Sequence, residues 1–167
     1  MNLFLLRHGI AVERDEFASA NDELRPLTPK GQRELRQSVA ALRAMELQFD
    51  VILSSPLLRA RQTAEIVAAE LKLKKRLVFA AELKPGGSAK KLVQKINALK
   101  TRPKNILLVG HEPDFSQLIL LLVTGQTGAG FALKKGGLAK LELEKFRAGQ
   151  CATLAWLLTP KQMKLMR

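Results

Sequence analysis

Two histidines are the whole histidine content of this 167-residue chain, and each stands where a short apolar run stops. His8 comes after Leu3-Phe4-Leu5-Leu6-Arg7 and before Gly9; His111 comes after Ile106-Leu107-Leu108-Val109-Gly110 and before Glu112-Pro113. An apolar run that breaks off into glycine and polar residues reads as a buried strand leaving a sheet. Open α/β sheets bind their ligands at the carboxyl ends of their strands. Imidazole serves as nucleophile, base or hydrogen-bond donor, and the planar fork of Arg7 matches phosphate geometry. Gly9 lets the backbone come close to a ligand. Either histidine alone is as well read as a hydrogen-bonded structural residue. Two of them at strand ends, with an arginine beside one, make a site for an anionic group.

A second piece is the run Ser55-Pro56-Leu57-Leu58-Arg59-Ala60-Arg61-Gln62-Thr63-Ala64. Ala60 and Ala64 lie on an apolar helical stripe, so Arg59 sits at the edge of the packed face, where an unpaired charge is expensive unless it meets an anion. Arg61, two positions on, faces away toward solvent. A metal centre is not expected, since neither histidine has ligand spacing and a positive site repels a cation. No cofactor is implied.

The elements that must position these residues alternate. Strand signals fall at 2–6, 51–53, 77–79 and 105–109, and two more, at 138–143 and 153–158, are close enough to pair antiparallel. Between them Leu35, Val39, Leu42 and Met45 recur at helical spacing, as do Ala60, Ala64, Val67 and Leu71, then Leu92, Ile96 and Leu99, and the run from Phe115 to Val123. Such alternation predicts a three-layer α/β/α sandwich around a mainly parallel sheet with an antiparallel C-terminal strand. Thr28-Pro29, Ser55-Pro56 and Glu112-Pro113 each offer a polar N-cap with proline at the first helical position, and Ser88 caps the third helix. The segment 11–26 is the one long polar connection, and such loops are usually functional or mobile.

The net charge of +13 is high for a chain that is otherwise ordinary, with 47% hydrophobic and 26% charged residues. A basic surface concentrates anionic partners, although much of the lysine reads as solvated helix face. Nucleic acid is an unlikely partner, because there is no tyrosine and most of the aromatic residues lie in core-like runs. Cys151 is the only cysteine, so no internal disulfide forms, and at the start of an apolar stretch it reads as a buried thiol. No apolar run is long enough for a signal-peptide core or a membrane span; the expected location is the cytoplasm.

Arg7-His8-Gly9, the run Ser55–Ala64 and Gly110-His111, in that order, resemble the motifs of the histidine phosphatase superfamily, whose fold is phosphoglycerate mutase-like. The segments Arg25-Pro26-Leu27-Thr28-Pro29-x-Gly31 and Glu82-Leu83-x-Pro85-x-Gly87 are similar, more specifically, to those of SixA-type phosphohistidine phosphatases. The resemblance implies a single minimal domain over 1–167, without the large cap insertion that superfamily members acting on small metabolites often carry. It implies a phosphatase in which His8 is the nucleophile of a covalent phosphohistidine intermediate, with Arg7, Arg59 and His111 around the phosphoryl oxygens. Gly9 and Arg25 are further phosphate contacts, and Glu82 aligns with the general acid of larger members. His8 must be neutral to attack, whereas a bound phosphate dianion favours a protonated His111. The substrate implied is a phosphorylated protein such as a histidine phosphotransfer domain. The alternatives are a small-molecule phosphomonoesterase of the same mechanism and a non-catalytic anion-binding module. Lys134-Lys135-Gly136-Gly137 reads as an exposed basic turn that could border the site.

Overall fold

The computed structural model describes residues 1–17, 21–128 and 130–166. Within them lie the strands β1 (Asn2–Arg7), β2 (Val51–Ser54), β3 (Leu77–Phe79), β4 (Asn105–Gly110), β5 (Leu138–Leu143) and β6 (Ala152–Leu158). The helices are α1 (Pro29–Ala44), α2 (Leu58–Glu70), α3 (Ala89–Asn97), α4 (Asp114–Thr124) and α5 (Pro160–Lys164). All the strands join one sheet in the order β3-β2-β4-β1-β5-β6. β3, β2, β4 and β1 run parallel, β5 is antiparallel to β1, and β6 is antiparallel to β5. The expected α/β sandwich and its antiparallel C-terminal pair are both present.

The alternation of side chains along each strand explains the layers. Leu3 and Leu5 of β1, Leu53 of β2, and Ile106 and Leu108 of β4 pack with Leu92, Val93 and Ile96 of α3 and with Phe115, Leu118 and Ile119 of α4. The intervening Phe4, Leu6, Ile52, Leu107 and Val109 pack on the other face with α1, α2 and Met163 of α5. Strands that are apolar at every position therefore bury both faces, as a parallel sheet between helices requires. Each fully buried Leu, Ile or Phe contributes roughly 1.5–3 kcal/mol, which gives the carboxyl ends of β1, β2 and β4 a rigid floor.

Two of the four helix starts follow the expected capping. Thr28 accepts a hydrogen bond from the N–H of Gly31, and Ser88 accepts one from the N–H of Lys91. The other two do not. α2 begins at Leu58 without a side-chain cap, because Ser55 is fully buried and turned into the site; α4 begins at Asp114, and the Glu112 side chain is engaged elsewhere. Cys151 is half-buried rather than buried, and its Sγ–H donates to the carbonyl of Arg147 at 3.3 Å. Between β3 and β4 the described chain holds a 3-10 turn (Ala81–Leu83) and the nine-residue α3, with no further element. No helix is long and apolar enough to cross a membrane among the described residues.

Candidate active site

β2, β4 and β1 are consecutive in the sheet, and the chain leaves all three at the same edge. There the backbones are stitched together. The N–H of His8 donates to the carbonyl of Gly110 at 3.0 Å, and the N–H of Ser55 donates to that of Val109 at 2.9 Å. The tip of the 134–137 turn closes on β1 through Gly136, in the left-handed region at φ 75°, whose N–H donates to the carbonyls of Arg7 and His8 at 3.1 and 3.0 Å. The turn thus borders the site through its backbone, while Lys135 pairs with Glu13 at 2.8 Å. Gly110 has to be glycine, since a Cβ there would stand 2.7 Å from the ring of Phe115. The two imidazoles, more than a hundred residues apart in sequence, come to 5.2 Å between ring centroids with their planes tilted by 55°.

The hydrogen bonds of each ring set its chemistry. His8 Nδ1 is 2.7 Å from the carbonyl of Gly9. A carbonyl only accepts, so Nδ1 carries the proton and Nε2 keeps its lone pair. Burial above all lowers the proton affinity of His8, countered by the bond to Gly9 and reinforced by Arg59, Arg7 and Arg25, so its pKa is pushed down to about 3. The ring is therefore neutral at ordinary pH, as a nucleophile requires. His111 is also pushed down to about 3, by burial first and then by His8, Arg59 and Arg7, with Asp22 opposing. Burial thus holds both rings neutral, and the expected difference in charge between them would need a bound dianion. His111 Nε2 lies 2.9 Å from Ser55 Oγ, which also accepts the N–H of Leu57 at 3.3 Å. Ser55 Oγ–H can donate to Nε2 and so leave the proton of His111 on Nδ1.

The arginines complete a cradle. Arg7 Nη1 donates to the carbonyl of Leu133 at 2.6 Å. Arg59, 4% exposed, uses Nη1 for the carbonyl of Asp22 at 2.9 Å and Nη2 for its carboxylate at 3.1 Å. Arg7 Nε, Arg59 Nε and His111 Nδ1 are buried and have no hydrogen-bond partner among the described residues. All three belong to the residues singled out in the sequence. An unpaired buried donor costs about 1–3 kcal/mol, so three in one site are a standing arrangement for an acceptor with several oxygens. Arg25 stays close enough to lower the proton affinity of His8, but its Nε pairs with Asp22 at 3.0 Å and its Nη1 with the carbonyl of Val12 at 2.7 Å.

Two of the expected site residues have partners of their own. Gly9, an expected phosphate contact, has an N–H that donates to Thr63 Oγ1 at 3.1 Å and a carbonyl that orients the His8 ring. Glu82, which aligns with the general acid of larger members, has Lys95 3.2 Å from its carboxylate. Its pKa is lowered by a bond to its own backbone N–H and by Lys95, against the opposing effect of burial, so the protonated form an acid needs is disfavoured. Several residues do work that pattern alone did not reveal. Gln62 holds the loop before α1 by accepting the N–H of Leu27 at 2.8 Å, Thr63 ties Gly9 to α2, Ser55 orients His111, and Asp22 grips Arg59. The first three lie inside the run Ser55–Ala64, whose spacing was the available signal; Asp22 sits in the polar loop with none. Among the described residues no group of three or more His, Cys, Asp or Glu could hold a metal ion.

Similarity to known proteins gives the family. The model of the histidine phosphatase superfamily (branch 1) matches residues 3–84. An uncharacterised protein of Picosynechococcus is 40% identical over 142 residues, covering 84% of each chain. The phosphohistidine phosphatase SixA of Escherichia coli is 29% identical over 168 residues, covering 100% of this chain and 99% of that protein. A solved structure of the protein histidine phosphatase SixA complexed with tungstate superposes with a TM-score of 0.81 at 30% identity, covering 96% of this chain and 98% of that one. These matches place the chain in the histidine phosphatase superfamily, as a phosphatase of the SixA type.

Proposed function

We propose that the protein is a minimal, single-domain phosphatase that removes the phosphoryl group from phosphohistidine on another protein, with His8 as the nucleophile. The observation that carries the reading is the conjunction of a neutral His8, its Nε2 lone pair free, with three buried donors lacking partners. In the first step Nε2 attacks phosphorus, a P–N bond to His8 forms and the P–N bond of the substrate breaks. A substrate imidazole protonated on its second nitrogen leaves as a neutral ring. In the second step water attacks the phosphoryl group, the bond to Nε2 breaks, and dihydrogen phosphate departs as His8 recovers its lone pair. Arg7, Arg59 and His111 hold the phosphoryl oxygens throughout, which is most of what phosphoryl transfer asks of a protein.

Two features favour a phosphoramidate on a protein over a small ester. Its own backbone N–H and Lys95 lower the pKa of Glu82 and favour its carboxylate, while an imidazole already protonated on its second nitrogen leaves without an acid. The short β3–β4 connection adds no cap over the sheet edge, which suits a phosphorylated side chain presented from a large surface. The net charge of +13 favours an acidic partner such as a histidine phosphotransfer domain. SixA, the tungstate-bound relative, carries the protein histidine phosphatase name. The test compares turnover of a phosphorylated phosphotransfer domain with that of sugar phosphates and nucleotides, and asks for ³²P-labelling of the enzyme. Preference for the phosphoprotein is expected, with labelling and activity both lost in His8→Ala. Preference for a small metabolite overturns the substrate, and undiminished labelling of His8→Ala overturns the nucleophile.

A further inference from the structure

We infer that Asp22 is a positioning residue for Arg59, gripping both terminal nitrogens of the guanidinium so that the buried Nε–H is the donor presented to the anion. The inference rests on the phosphatase reading of the site. A guanidinium is planar, so fixing Nη1 and Nη2 fixes the direction of Nε–H as well. One residue does both: its carbonyl takes Nη1 at 2.9 Å and its Oδ2 takes Nη2 at 3.1 Å. Its other carboxylate oxygen is held by Arg25 Nε at 3.0 Å and Arg14 Nε at 3.3 Å. The turn that carries it, Asp22–Leu24, is tethered by Glu23 to Lys84 at 2.7 Å and capped by Asn21 Oδ1, which accepts the N–H of Glu23 at 3.0 Å. Asp22 therefore stands as a hub of three arginines, one of which belongs to the cradle.

A carboxylate so close to an anion site has a second conceivable effect, which is to repel or mimic the phosphate and keep Arg59 from it. The two effects have opposite signs. Removing a negative charge beside the site strengthens phosphate binding through space; releasing Arg59 from its grip weakens it. The experiment is Asp22→Asn, read by binding of inorganic phosphate in calorimetry and by kcat and KM on the phosphoryl substrate. Weaker phosphate binding is expected in spite of the more positive site, with a loss of roughly ten- to a hundredfold in kcat/KM of the size small misplacements cause. In an Arg59→Ala background the same substitution is expected to cause no further loss. Tighter or unchanged phosphate binding overturns the inference, as does a full Asp22→Asn effect when Arg59 is absent. Should the amide variant unfold, Asp22→Glu carries the test, since it keeps the charge and displaces the grip by one methylene; unaltered kcat and phosphate binding in it overturn the inference. Wild-type protein that binds phosphate but turns over no phosphoryl substrate would defeat the functional reading while leaving the role of Asp22 measurable.

Discussion

The two arginines of the cradle are held in different ways. Arg7 leaves the end of β1 and is fixed by the carbonyl of Leu133, a fully buried residue. The N–H of Leu133 is bonded at 3.0 Å to Glu112, the residue after His111, and Glu112 in turn accepts Ser116 Oγ–H of α4 at 2.6 Å. Arg59 is instead held by Asp22, on a loop whose ties include ion pairs of Asp22 with Arg25 and Arg14 and of Glu23 with Lys84, the Arg14 side chain being 76% exposed. On one side a neutral carbonyl, backed by the core, fixes the donor; on the other the carbonyl and the carboxylate of a single loop residue share the task. A grip of the first kind is nearly blind to salt and pH, whereas exposed ion pairs are individually weak and screened. The site thus combines a rigid half with an adjustable half.

The largest effects test whether both halves serve one anion. Arg7→Ala and Arg59→Ala are each expected to lower kcat by ~10²–10³, the usual loss for one donor to a developing anion. Steady-state kinetics on phosphohistidine substrate measure it, and a defect confined to one arginine breaks the symmetry of the cradle. Next, Glu112→Gln should cost about 1–3 kcal/mol of stability, because an amide cannot accept both the Leu133 N–H and the Ser116 hydroxyl as the carboxylate does. Denaturant unfolding is the measurement, with Asp22→Asn as the partner variant expected to change stability much less; equal losses would erase the distinction between the halves.

The last test concerns pH. Both imidazoles have pKa values near 3 in the folded protein against about 6.5 when unfolded, so the unfolded chain binds more protons below pH 6.5. Their neutral burial costs stability progressively as pH falls from about 6.5 toward 3, with each ring contributing at most about 1.4 kcal/mol per pH unit. Asp22 adds to the same trend: burial raises its pKa, Arg59 and Arg25 lower it by more, and the stability from those pairs is lost as the carboxylate protonates. Unfolding free energies between pH 4 and 7 should show a shallower slope in His8→Asn and in His111→Asn. An unchanged slope would mean that the rings are not buried neutral.

The strands show how far pattern reaches. Leu3 to Leu6 and Ile106 to Val109 are apolar at every position, which only a sheet covered on both faces can bury, so the fold class and the edge carrying His8 and His111 were legible in the chain. Arg59 was legible as a charge set against the Ala60–Ala64 stripe, and it is indeed 4% exposed. Helix starts are less legible. Ser55 and Glu112 look like caps, yet both side chains are drawn to partners far along the chain, His111 and Leu133, that no local rule can supply. Asp22 was invisible for the same reason, since nothing in a polar loop marks which acid will meet an arginine 37 residues on.

The sequence by itself therefore determined the sheet, the order of its strands along the chain, and the residue types set at the site edge, because periodic burial and strand termination are local properties. The tertiary structure alone decided which ring nitrogen of His8 holds the proton, which donors are left unpaired, and that Glu82 answers to Lys95. Those depend on hydrogen-bond partners and charges supplied from elsewhere in the chain, and only folding brings them within 3 Å or so.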